Sequence, residues 1–175
     1  MPYLQYDLNP VTHITIDTVG PPGQRTFFLQ ASQGLTLVSL IIEKEHAYAL
    51  AIAIRQLLEQ LGEDLSELVT TGVDLELKEP LVPAFRVGQL GLGYDDTEDL
   101  LVVVAQELTE EEEEEMAAVA RFWATRRQMG ALSEHALQVV AAGRPICPLC
   151  GEPMDPDNPE GHICPRKNGR RGGSG

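Results

Sequence analysis

The alternation of apolar and polar residues predicts three strands and a helix in the first part of the chain. Residues 11–17 alternate, which is typical of a strand with one buried face. Residues 25–31 and 35–42 are rich in β-branched, aromatic and leucine side chains and predict two more strands. A helix ending at Gly62 should follow, because the next apolar residues share one helical face. They are Ala47, Leu50, Ile54, Leu57, Leu58 and Leu61.

The second part of the chain repeats this plan. Strands are predicted at 85–93, 100–107 and 118–124. A helix should start at Thr125, whose hydroxyl can cap it while Gln128 reaches back to complete a capping box. The apolar face of this helix is formed by Met129, Leu132, Ala136, Val139 and Val140.

A shift of 82 residues superposes the two helices and places Leu50 on Leu132. We therefore predict two β-β-β-α units, at about 10–62 and 84–143, that arose by internal duplication. The alternative is chance, because amphipathic helices resemble one another. The predicted fold class is α+β, in which an antiparallel sheet, or two related sheets, carries both helices. An acidic connector at 63–83 joins the units and is expected to contain one short strand at 73–77.

The C-terminal segment carries the most specific motif. All three cysteines of the chain lie there, as Cys147-x-x-Cys150 and Cys164, and His162 stands beside the third. Three thiolates and one imidazole match the tetrahedral preference of Zn²⁺. The segment between the two pairs is polar and proline-rich, so a metal would supply folding energy that burial cannot. We predict a structural zinc site and a division into a body, 1–143, and a zinc-knuckle tail, 144–175.

Other interpretations of the cysteines remain open. Cys147 and Cys150 could form a redox pair, although that motif usually opens a helix. A disulfide would need an oxidising compartment, and residues 1–6 do not resemble a secretion signal. A catalytic zinc would need an open coordination position, which four protein ligands do not leave.

Charge separates the same two parts. The chain has a net charge of −14. The body carries 23 acidic and 8 basic residues, and the tail carries 4 and 5. This balance disfavours general coating of nucleic acid, and no apolar run is long enough to span a membrane. The run of glutamates at 110–115 is interpreted as a solvated loop, with a docking site for a basic partner as the alternative.

Several segments resemble one known family. They are Gly20-Pro-Pro-Gly-Gln-Arg-Thr-Phe-Phe-Leu-Gln30, Phe85-Arg-Val-Gly88, Gly143-Arg-Pro-Ile-Cys-Pro-Leu-Cys-Gly151 and Gly161-His-Ile-Cys-Pro-Arg-Lys-Asn-Gly169. Together they resemble an uncharacterised, mostly actinobacterial domain of unknown function that is sometimes called a repeat protein. The resemblance implies a cytoplasmic bacterial protein with a metal-binding tail. It implies no reaction.

The sequence contains no recognised catalytic motif. Gly88, Gly91 and Gly93 lie within a predicted strand, so bulges or close packing are expected there rather than a phosphate loop. His13 is expected to be exposed on its strand, and His46 and His135 are interpreted as surface or packing residues.

Four arginines predict an anion site. Arg25, Arg86, Arg144 and Arg166 each lie within the family-like segments. Guanidinium groups bind phosphate or carboxylate in a bidentate manner, so the four could line a pocket between body and tail. The alternative is that they pair with carboxylates of the acidic body.

Three functions follow as hypotheses. The leading one is a non-enzymatic adaptor that binds a protein partner through its zinc-stabilised tail. The second is an enzyme or sensor that binds a phosphorylated or carboxylated small molecule among the arginines. The third is nucleic-acid binding through the basic tail residues Arg166, Lys167, Arg170 and Arg171.

Overall fold

The computed structural model describes residues 2–21 and 23–142 of the chain. Within them the secondary-structure elements are β1 (Tyr3–Leu8), β2 (His13–Val19), β3 (Thr26–Gln33), β4 (Thr36–Ile42), α1 (Lys44–Gln60), β5 (Pro83–Asp95), β6 (Leu100–Glu107), a 3-10 turn (Glu111–Met116), β7 (Ala118–Ala124) and α2 (Arg126–Ala142). The predicted elements are present within a few residues of their expected bounds, and β1 is an element that we did not predict.

The strands form one mixed sheet in the order β1-β7-β6-β5-β4-β3-β2. Neighbours pair antiparallel except at two places, where β1 pairs with β7 and β4 pairs with β5 in parallel. The α+β class is therefore confirmed, with a sheet that is mostly rather than wholly antiparallel.

The two edges of this sheet approach each other. β1 and β2 stand at opposite ends of the strand order, yet only residues 9–12 separate them in the chain. The backbone N–H of Val11 donates to the carbonyl of Trp123 in β7, and that of Thr12 donates to the carbonyl of Ser32 in β3, both at 2.8 Å. Because one short loop bonds strands from both ends of the order, the sheet is strongly curled.

β5 makes the same exchange of partners within a single strand. Its first residues pair in parallel with β4, and the residues from Val87 onward pair antiparallel with β6. The register shifts at Gly88, where an added Cβ would lie 2.9 Å from the Cα of Leu108. The expected bulge and close packing are confirmed at this glycine, because no side chain fits between the two strands.

The two halves correspond element by element. A shift of 82 residues places β4 on β7 and α1 on α2 with identical bounds, and a shift of 74 places β3 on β6. The difference of eight residues lies in the β6–β7 connection, which contains the 3-10 turn. This correspondence fits the predicted repeat, and a common origin of the halves stays a prediction.

Both helices pack into one core with the inward side of the sheet. The capping box at the start of α2 is confirmed, because Thr125 and Gln128 exchange side-chain and backbone hydrogen bonds of 2.9 and 3.1 Å. Burying one large apolar side chain contributes about 1.5–3 kcal/mol, so this core is the main source of stability. Its fully buried members include Ile14, Ile16, Leu29, Leu40, Ile54, Leu58, Leu101, Phe122, Met129 and Leu132.

The segment between α1 and β5 crosses the sheet without forming a strand, so the short strand expected at 73–77 is wrong. Side chains of the sheet hold it instead. The hydroxyl of Thr15 donates to the carbonyl of Leu75 at 2.6 Å, and the buried amide of Gln30 bonds both backbone groups of Lys78. These side-chain bonds replace the ladder that a strand would have made.

The glutamate run is exposed along its whole length, in agreement with its interpretation as a solvated segment, and most of it forms the 3-10 turn. None of the helices in the described part of the chain is long and apolar enough to span a membrane.

Candidate anion-binding site

A cleft of about 390 Å³ opens where the first half of the chain meets β5. Two of the four predicted arginines, Arg25 and Arg86, line it, and Lys44 adds a third cation that the sequence argument did not include. Arg144 and Arg166 lie outside the described residues. The remaining wall residues are Gly23, Thr26, Phe27, Ile41, Ile42, Glu43 and Glu45.

The topology explains why these cations meet. Arg25 immediately precedes β3, and Lys44 is the first residue of α1, directly after the end of β4. Arg86 lies opposite Ile41 in the parallel pairing of β4 with β5. The cleft therefore depends on the junction between the two halves, since β5 belongs to the second half.

Arg25 is held in place by the first half alone. Its guanidinium carbon lies 4.9 Å from the centre of the Phe27 ring, and Nη1 donates to the Thr18 hydroxyl at 3.3 Å. Partial burial lowers the pKa of Arg25, and the carboxylate of Asp17 opposes that effect. Arginine remains protonated under such shifts, so the cleft keeps this positive charge at neutral pH.

Arg86 has an internal carboxylate partner. Its Nη1 lies 3.0 Å from Oε1 of Glu43, and both side chains are about half exposed, at 50% and 57%. Glu43 immediately precedes α1, and Glu45 lies in its first turn. These two carboxylates offset the positive end of the helix dipole. The positive character of the cleft therefore comes from side chains.

The corresponding position in the second half is closed by an ion pair. The shifts that superpose the halves place Arg25 on Asp99 and Lys44 on Arg126. Asp99 and Arg126 bond each other at 2.8 Å. In the first half both positions are cationic, and like charges cannot neutralise each other. Within residues 2–21 and 23–142, neither Arg25 nor Lys44 forms an ion pair.

This cluster contrasts with the rest of the body. The first 143 residues contain eight basic side chains, and three of them line this cleft. Among the other five, Lys78, Arg121 and Arg126 are each paired with aspartate. The cleft therefore combines three cations with only one internal ion pair, an arrangement that can bind an anion.

The histidines have structural surroundings. His13 is 8% exposed and neither ring nitrogen has a hydrogen-bond partner among the described residues, so its expected exposure is wrong. The reason is that the crossing segment covers this side of the sheet. His46 accepts a hydrogen bond from the backbone N–H of Glu43 at 3.1 Å, and His135 lies 3.0 Å from Asp17.

The predicted zinc ligands Cys147, Cys150, His162 and Cys164 lie outside the described residues. Inside the described ranges, no group of three or more histidine, cysteine, aspartate or glutamate side chains is arranged to hold a metal. The zinc site and its structural role stay predictions.

Comparison with known families places the chain. The family described as "Protein of unknown function (DUF3090)" matches residues 6–164. The chain belongs to this family. The match agrees with the resemblance to an uncharacterised family and includes the arginine cleft and all three cysteines. For this DUF3090 protein, no match was found among curated proteins or among solved structures.

Proposed function

We propose that this protein is a non-enzymatic binding protein or sensor for a small molecule that carries a phosphate or carboxylate group. The observation that carries the proposal is the convergence of Arg25, Lys44 and Arg86 on one cleft. Guanidinium groups donate paired N–H bonds whose geometry matches the oxygens of phosphate and carboxylate. Arg25 is the anchor of the site, because Phe27 and Thr18 already fix its position.

The contrast between the two halves supports the same proposal. The second half supplies its own anion, Asp99, at the position that corresponds to Arg25. The first half does not, and it leaves Arg25 and Lys44 to be neutralised from outside. A ligand that neutralises them would also bridge the halves through Arg86, so binding should stabilise the junction between β4 and β5.

Thermal unfolding in the presence of phosphorylated and carboxylated small molecules tests the proposal. A ligand that binds only the folded state at 100 times its Kd stabilises it by about 2.7 kcal/mol, which raises the Tm by several degrees. Arg25→Ala and Arg86→Ala should each abolish the rise. Arg55→Ala, a change of the same charge on α1 outside the cleft, should keep it. Equal responses in all three variants, or no response to any compound, would contradict the proposal.

The adaptor hypothesis remains a separate proposal. It depends on the zinc-stabilised tail, whose residues lie outside the described part, and on a protein partner. A stoichiometric partner recovered with the full chain and lost when residues 144–175 are deleted would support it.

A further inference from the structure

The cleft contains a carboxylate at a position where a ligand would bind. Glu43 accepts from Nη1 of Arg86 through a single contact of 3.0 Å. This is one hydrogen bond, whereas an arginine fork can donate two in parallel to one anion. Both partners are about half exposed, so water competes for each of them. Exposed pairs of this kind contribute little to stability and can be exchanged.

We propose that Glu43 is a selectivity residue that restricts the cleft to dianionic ligands of the phosphate-monoester class. This inference rests on the proposed function of the cleft. A ligand with one negative charge would replace one anion at Arg86 with another and would then lie beside the displaced carboxylate. That exchange brings little net attraction, because repulsion between the two anions offsets the new contact.

A dianion changes this balance. A phosphate monoester carries close to two negative charges at neutral pH and has three acceptor oxygens. It can bond Arg25 and Arg86 together, with Lys44 as a third positive charge on the same wall. The second charge doubles the attraction to the three cations. The cleft thereby distinguishes charge, where the guanidinium groups alone would accept any small anion.

Glu45 provides a matched control. It lines the same cleft and carries the same charge, yet in the described structure it forms no ion pair with Arg86. Glu45→Gln and Glu43→Gln therefore change the net charge of the cleft by the same amount, and only Glu43→Gln removes the carboxylate bound to Arg86.

Methyl phosphate and dimethyl phosphate at pH 7.5 test the inference, because they share a tetrahedral phosphate and differ by one charge. Binding is followed by NMR through the Nε–H resonances of the arginine side chains. The wild type should bind methyl phosphate about tenfold or more tightly than dimethyl phosphate. Glu43→Gln should bind dimethyl phosphate about fivefold more tightly than the wild type does and lose most of the preference. Glu45→Gln should keep the wild-type preference.

The possible failures are distinguishable. If methyl phosphate binds and Arg25→Ala abolishes binding, but Glu43→Gln and Glu45→Gln behave alike, the selectivity role of Glu43 is wrong and the binding function stands. If neither ligand moves the arginine resonances in any variant, the function and the inference both fall. Glu43→Asn serves as a second variant should Glu43→Gln disturb α1, because asparagine is a favourable residue before a helix and is too short to replace the glutamate contact.

Discussion

Arg126 connects groups from four segments of the chain. It bonds Asp99 at 2.8 Å, Glu63 at 3.0 Å, the Tyr94 hydroxyl at 3.2 Å and the carbonyl of Leu61 at 3.3 Å. These bonds tie the start of α2 to the end of α1 and to the β5–β6 turn. We expect Arg126→Ala to lower the free energy of unfolding by about 2 kcal/mol, measured by urea denaturation. Arg127→Ala should cost less, since Arg127 has one exposed contact with a backbone carbonyl.

The pH dependence of this difference provides a second measurement at the same residue. Hydrogen bonds from Arg126 and then from Tyr94 lower the pKa of Asp99 below its ordinary value. The resulting stabilisation is complete above the unfolded-state pKa, about 4, and is lost as the pH falls through the folded-state pKa. The gap between wild type and Arg126→Ala should therefore narrow below pH 4. A gap that is constant down to pH 2 would show that Asp99 does not contribute through its charge.

Single residues also show what the sequence could predict about the site. Arg25 and Arg86 were predictable because each lies beside a turn or a strand entry, where side chains converge. Glu43 was not, because its contact with Arg86 joins residues 43 positions apart through the β4–β5 pairing. His13 was misjudged for a related reason, since the segment that buries it comes from residues 70–78.

At the level of elements, the apolar pattern predicted those that bury one face. β6 and β7 have the expected bounds, and their inward residues are fully buried. β1 gave no such signal, because it pairs with a neighbour on one side only and, within it, only Leu8 is buried. The crossing segment gave a misleading signal, because its alternating residues are held by side chains of β2 and β3 rather than by a strand ladder.

Gln30 is the main attachment of that segment. Its amide is fully buried, donates to Ser39 Oγ and the carbonyl of Lys78 at 3.0 Å, and accepts from the N–H of Lys78 at 2.7 Å. Gln30→Leu should cost about 2–3 kcal/mol, because partners are left without a bond in a partly buried site. Hydrogen exchange should become faster at 74–80 in particular.

Gln33→Leu is the matched control for this element. Gln33 makes the same two-way contact with a backbone unit, that of Asn9, but in an exposed position where water can replace it. Its loss should cost clearly less than that of Gln30. Equal costs would mean that burial of the Gln30 amide is not what holds the segment.

Over the whole molecule, the closure of the sheet is what sequence patterns could not supply. The pattern predicts which residues face a core, but not which strands become neighbours at the ends of the sheet. That closure depends on two backbone hydrogen bonds from residues 11 and 12 and on the change of partners along β5. The cleft lies at one such change of partners, so the position of the site follows from topology more than from any motif.

The body and the tail should also respond independently to loss of metal. We expect close to one zinc per chain by metal analysis, bound by Cys147, Cys150, His162 and Cys164, because these four ligands complete a tetrahedral shell. Cys150→Ser should lose most of the metal. His162→Ala should lose less, given its one-residue spacing to Cys164. The Tm of the body should stay within about 2 °C in both variants, since the buried core lies entirely within residues 8–140 and a change below 0.5 kcal/mol shifts the Tm only slightly. Protein that contains no metal while its three thiols are reduced would contradict the zinc site and favour the redox interpretation of Cys147 and Cys150.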